Sequence, residues 1–212
     1  MITTLASFLQ QWLLPRLQNF RARWPHVNVT VDTSHRQVGF PVDGFDFAVR
    51  MSRAPVAGTA WTRLFGEQLV PVCSPAYLES LRDVHGTPLL GKATLIHVNA
   101  ASEDWQTWLE TTGMEGVDPS DGLHVDTIQL AFEAASMGLG VALGRRPLVD
   151  RDLVSGALVE AASSTIASST AYWLVSAEDA QRRPELLDFR QWMLAEAGQS
   201  SCDLSVSAHA PQ

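Results

Sequence analysis

Runs with a helical period and runs with a strand period take turns along most of this chain, and that alternation restricts its folding more than any other feature. From Ser7 to about Arg23, Phe8, Leu9, Trp12, Leu13, Leu17 and Phe20 recur at roughly 3.6-residue spacing. Pro15 falls inside this run and predicts a kink or a split, because proline has no N–H and clashes with the turn before it. "HVNVTVDT" (26–33) then sets Val27, Val29 and Val31 between polar residues, the pattern of a half-buried strand. The exchange continues. "FDFAVRM" (45–51), "TRLFGEQLVPVC" (62–73), "TLIHV" (94–98), "GLHV" (122–125), "GVALG" (140–144), "ALVE" (157–160) and "AYWLVS" (171–176) read as strands. Helices are predicted after Ser74, after Ser102, after Asp126 with Gln129 as a capping box, over 147–155, and from Pro184 to Ala197. "SSTIASST" (163–170) reads as a polar linker and residues 199–212 as a disordered tail. Strands alternating with helices place the chain in the α/β class with largely parallel sheets.

Composition limits what such a chain can do. With 212 residues, 46% of them hydrophobic and 18% charged, it can build one ordinary domain or two small lobes around real cores. The net charge of −8 offers no basic patch, which argues against DNA binding by this piece of chain. Cys73 and Cys202 lie far apart, so a disulfide framework is not expected and a reducing cytoplasm is. No stretch is long and apolar enough to span a membrane, and no basic segment precedes the first apolar run, so no membrane association is expected.

The chemistry-bearing residues do not assemble a catalytic centre. Gly138, Gly140 and Gly144 in "MGLGVALG" resemble a dinucleotide loop, but they follow a helix and precede a strand, the reverse of what that loop needs. They read instead as a helix stop and as points of close packing. The six histidines show no ligand spacing, so neither a metal nor a cofactor is expected. Cys73 reads as a small buried hydrophobe and Ser74, followed by Pro75, as a helix cap. Glu103 and Asp104 read as solvent-facing carboxylates in a first helical turn. Arg145 and Arg146 in "GRRP" meet an anion or a partner, or are simply solvated. His97 ends a strand, where ligands collect in α/β sheets, and is either a ligand contact or a strand-end residue. Ser7 and Thr127 each start a predicted helix. Plain capping explains either one alone, yet their hydroxyls and the free N–H groups of a helix start also suit a carboxylate or similar anion.

"SFLQQWLLPRLQNFRARWPHVNVTVDTS", "GFDFAVRM", "EQLVPVCSPAYL", the Trp105–Leu109 "W..WL", "DTIQLAFEAASMGLGVALGRRPLVDRDLVSGALV" and "AYWLV" occur in one order over roughly residues 2–197. Together they resemble the effector-binding domain of LysR-type transcriptional regulators, and most of all the branch of the glycine-cleavage and beta-lactamase-gene regulators. The resemblance implies a two-lobe type 2 periplasmic-binding-protein-like fold with two crossover strands. Lobe I would hold 1–71 and 172–198, and lobe II 72–171. It implies a small effector in the inter-lobe cleft, contacted by Ser7, Thr33, Arg50, Met51, His97, Thr127 and Tyr172. Gly39 stands where the branch's peptide-ligand regulator has a cleft aspartate, which argues against the same effector.

The same resemblance implies a homodimer or tetramer formed through effector domains, and DNA contact only through an N-terminal winged helix-turn-helix. That segment and its linker helix are absent from these 212 residues, through trimming or natural truncation; "MITTLA" keeps only the end of the usual first strand. The expected function is effector sensing in the control of transcription, not catalysis. A free-standing solute-binding protein, an enzyme on the same two-lobe fold, and a truncated partner of a full-length regulator are the alternatives.

Overall fold

A computed structural model describes residues 1–33, 44–85, 87–178 and 183–207. The chain divides into two units, Met1–Glu67 with Ser169–Gln212, and Gln68–Ser168. Two strands carry it between them, β4 (Ala60–Cys73) outward and β9 (Ile166–Ser176) on the return. Gly39 lies outside the described residues.

The first unit opens with β1 (Ile2–Thr3), which pairs in parallel with β2 (Val31–Asp32) and β3 (Phe47–Ser52). Antiparallel β9 follows β3, and β4 comes next in the strand order. Only Val31 and Asp32 of the predicted 26–33 strand join the ladder. β1 is two residues long and offers partners to those two alone, so alternation at Val27 and Val29 has nothing to pair with. The first helical run is continuous but not regular: α1 (Ala6–Phe8), a π-helical turn over Leu9–Leu13, then α2 (Leu14–Arg23). The interruption expected at Pro15 takes the form of this widened turn, which parts α1 from α2 and in which the Leu14 N–H reaches back five residues to the Leu9 carbonyl.

Aromatic rings fill this unit's core. Phe8 packs 4.9 Å from Trp12 and 5.2 Å from Tyr172 between ring centroids, and Phe65 lies 5.4 Å from Tyr172. A second group joins Phe20, Phe47, Phe189 and Trp192. Phe189 and Trp192 belong to α7 (Pro184–Ser207), which continues past the predicted end at Ala197. Burial holds the extra turn: Ser200 is 3% exposed and its hydroxyl accepts the Trp12 indole N–H at 3.0 Å. The tail expected over 199–212 is therefore helical to Ser207, and residues 208–212 lie outside the described residues.

In the second unit β4 pairs antiparallel with β7 (Val141–Arg146), and β7 adjoins the parallel pair β5 (Leu95–Val98) and β6 (Leu123–Val125). A short β8 (Val159–Glu160) runs along the end of β4. The helices are α3 (Pro75–Ser80), α4 (Asp104–Thr112), α5 (Ile128–Ser136) and α6 (Asp150–Ser155). The two tryptophans of α4 bury their rings and still satisfy their polar edges: the Trp105 N–H donates to the Ile96 carbonyl at 3.0 Å and that of Trp108 to the Ser164 carbonyl at 3.3 Å. Gly140 sits where a β-carbon would lie 2.3 Å from the Thr94 carbonyl oxygen, so close packing is the reason for that glycine.

Three local expectations need correction. The polar 163–170 stretch is not a linker from Ile166 onward but the first half of β9, with Ile166 buried and the Thr170 hydroxyl donating to Glu67 at 2.7 Å. Ser102 does not cap α4, because it already has helical backbone angles after a short 3₁₀ turn and a cap needs an extended residue. Asp126 and Gln129 form no capping box. Thr127 is the extended residue, and its hydroxyl accepts the Leu130 N–H at 3.2 Å, while Gln129 donates to Glu133.

Candidate functional site

In the first unit the expected residues gather at one end of the sheet. β1, β2 and β3 run parallel, so their carboxyl ends point the same way, and antiparallel β9 begins at that end. Thr33 follows β2 there and is exposed. Met51 is the register partner of Tyr172, and Arg50 that of Trp173. The Arg50 guanidinium donates to the Val49 carbonyl at 3.1 Å, and partial burial pushes its pKa below the usual value. Tyr172 is fully buried, its ring held between Phe8 and Phe65.

Ser7 stands at the same end, but not as a cap. Leu5 is the extended residue before the helix, and Leu9 N–H already bonds its carbonyl, so helical geometry starts at Ala6. Ser7 is the second helical residue and 4% exposed. No side chain caps this helix start. The backbone N–H groups of its first turn therefore lack intrahelical acceptors and carry the positive end of the helix dipole.

The second unit repeats the arrangement. β5 and β6 are parallel, with His97 opposite His124 and Val98 opposite Val125, and Thr127 follows β6 at the carboxyl end. Thr127 is a true cap, partly exposed, and keeps its hydroxyl proton for an acceptor. His97 is 4% exposed. Its Nε2–H donates to the Asp121 carbonyl at 3.0 Å, which fixes the tautomer, and its ring stacks on His124 at 4.6 Å.

Two polar groups were misjudged or missed in the sequence. Arg145 is 2% exposed and ion-paired with Asp104, so the arginine is not solvated, and the Asp104 carboxylate, 25% exposed, is tied to it and not simply solvent-facing. Arg146 pairs with Glu160 and lies 3.5 Å from Asp150. Glu67, 3% exposed, carried no motif at all; only its position, two residues past buried Phe65 on one strand face, marks it.

Cys73 is buried, and desolvation pushes its thiol up to about 11. In a Cys202→Ser background Cys73 is expected to resist 5,5′-dithiobis(2-nitrobenzoate) at pH 8 and to react fully in denaturant, since the thiolate is the nucleophile. Fast native labelling would contradict this placement.

A cavity of about 480 Å³ in the first unit, between the start of β1 and the start of α7, is lined by Met1, His26, Asp46, Arg183 and Phe189 among others. None of the expected site residues lines it. Among the described residues no group of three or more metal-ligating side chains converges, and no helix is long and apolar enough to cross a membrane.

Residues 1–198 match the family model described as "LysR substrate binding domain". The glycine cleavage system transcriptional activator of Escherichia coli K12 is 31% identical over 196 residues, covering 92% of this chain and 64% of that protein. The transcriptional activator AmpR of Pseudomonas aeruginosa is 30% identical over 194 residues, with 91% and 64% covered. The chain thus spans about 64% of the length of these relatives, which are named as regulators and not as enzymes. Among solved structures, the effector domain of P. aeruginosa AmpR superposes with a TM-score of 0.81 at 28% identity, covering 95% of this chain and 96% of that one. The AmpR effector-binding domain of Citrobacter freundii gives 0.79 at 22% identity, with 93% and 97% covered, a likeness of fold. The fold is the mixed α/β, periplasmic-binding-protein-like fold of LysR effector domains.

Proposed function

Because the chain belongs to the LysR substrate-binding domain family, we propose that it is the effector-sensing part of a transcriptional regulator and that its effector is a small anion. The observation that carries the chemistry is the uncapped helix start at Ser7, where first-turn N–H groups and a hydroxyl stand at the carboxyl ends of three parallel strands. Such an end favours a carboxylate without needing a cationic side chain. Thr127 offers a hydroxyl at a helix start in the second unit. Thr33, Arg50, Met51, His97 and Tyr172 shape the surroundings. His97 and Tyr172 act through ring position, since the His97 Nε2 is committed to the Asp121 carbonyl and the Tyr172 ring is packed between Phe8 and Phe65. Binding controls transcription only if the effector favours one conformation over another. DNA contact and self-association belong to the whole regulator, which reads DNA through a segment N-terminal to this one and works as a dimer or tetramer.

The test is thermal unfolding with acetate, succinate, glycine and L-alanine, on the parent protein, Ser7→Ala and Thr127→Ala. A ligand at a hundredfold excess over its Kd stabilises by about 2.7 kcal/mol, several degrees in Tm for a chain of this size. Removing one hydrogen bond to a charged ligand group should weaken binding roughly ten- to a hundredfold and cancel about half of that shift or more. Equal stabilisation of all three proteins would sink the assignment.

A further inference from the structure

The π-helical turn at Leu9–Leu13 does more than accommodate a proline. Phe8 and Phe20 are both fully buried, Phe8 among Trp12, Phe65 and Tyr172 and Phe20 among Trp24, Phe189 and Trp192. In an unbroken α-helix, residues so spaced point about 120° apart, and both could not face the core. The wide turn takes up one extra residue, which removes about 100° of that difference and brings the two rings onto one stripe. Ser7 precedes Phe8 in the same short α1 segment and turns with it.

We propose that Pro15 is a positioning residue for the effector site. In a regular α-helix its ring would collide with the Gln11 carbonyl and leave that group without an N–H. The widened turn relieves the collision, and the hydrogen bond from Leu14 to Leu9 closes it. Pro15 itself is exposed and far along the helix from Ser7, so it touches no effector. It acts by setting the rotation of the first turn, and with it the direction of the Ser7 hydroxyl and of the N–H groups beside it. The functional half of this inference rests on the reading of Ser7 as an effector contact.

The experiment needs no identified effector. Ser7→Cys is made in a Cys202→Ser background, and the rate of reaction with 5,5′-dithiobis(2-nitrobenzoate) is measured with Pro15 present, in Pro15→Ala, and in Pro15→Ala with Gln10 deleted. Gln10 is exposed, and its removal takes the extra residue out of the turn. Far-UV circular dichroism checks that each variant is folded. With Pro15 present the new thiol should be shielded, as Ser7 is. Pro15→Ala should let the helix return to a regular period and swing the thiol outward, raising the rate at least about tenfold. The deletion should restore shielding, because a regular helix one residue shorter puts Phe8 back over Phe20. An unchanged rate in Pro15→Ala overturns the proposal. So does a rate that stays high after the deletion, which would mean that the helix loosened and did not rotate. The carboxylate panel separates the two readings. If Ser7→Ala keeps the full thermal shift while the thiol pattern appears, Pro15 positions the turn but the effector reading of Ser7 falls.

Discussion

Replacing Asp104 with alanine should destabilise the second unit by about 3–5 kcal/mol in urea unfolding, because it takes the carboxylate from a guanidinium that remains buried. Arg145 is 2% exposed, against 25% for the Asp104 side chain, so the two halves of the pair are not equivalent. Losing the aspartate leaves a charge in a low-dielectric interior. Losing the arginine leaves a carboxylate that water can reach. Arg145→Met, which keeps most of the volume and removes the charge, should therefore cost clearly less than Asp104→Ala, and the double change Asp104→Ala/Arg145→Met less than the aspartate change alone. The order of the three midpoints is the test. If Asp104→Ala and Arg145→Met are equally mild, the pair is a surface contact in solution and contributes little.

Trp12→Ala should have a comparable effect on the first unit, about 3–5 kcal/mol, the usual range for emptying a large aromatic site. Trp12 is fully buried, lies 4.9 Å from Phe8 and 5.5 Å from Phe65, and donates its N–H to Ser200 on α7. It also carries Arg16 over its ring at 4.7 Å. The truncation thus removes ring packing, a buried hydrogen bond and the partner of a cation. Trp12→Phe separates them: it keeps most of the packing and removes the indole donor, while the Ser200 hydroxyl still accepts from Arg16 at 3.3 Å, so the loss should be about 1 kcal/mol. A loss below about 1 kcal/mol for Trp12→Ala would mean that this cluster is not the packed core described.

Fold class and the order of elements were legible because they follow from periodicity, which polar substitutions do not erase. What the sequence concealed has physical causes that are specific to position. The 26–33 alternation is real, but strand length is set by the partner, and a two-residue β1 allows a two-residue β2. The 166–170 strand is masked by serine and threonine, whose hydroxyls suit loops, and only the contact with Glu67 shows that one of them faces inward. Ser7 is in place at the helix start, yet its role as cap passed to the backbone because the helix begins at Ala6. Arg145 and Asp104 are 41 residues apart, and neither has a local pattern that would announce the other. The convergence of Thr33, Met51, Tyr172 and Ser7 at one sheet end follows from strand register, which no single motif carries.

The route of the chain has a consequence for the order in which the protein is made. The second unit is one uninterrupted stretch, 68–168, whereas the first is assembled from both ends of the sequence. Within the first unit, β9 lies between β3 and β4 in the strand order, so the middle of that sheet is its last strand to be synthesised. On the ribosome, the later-numbered unit has its whole sequence available while the earlier one still has a gap in its sheet. Residues 1–67 must wait, with the edge of β3 unpaired, until about a hundred further residues have emerged, and closing so long a loop makes this step slow compared with local folding. Residues 1–67 are then the part of the two units most exposed to misassociation during synthesis, although they are made before the second unit.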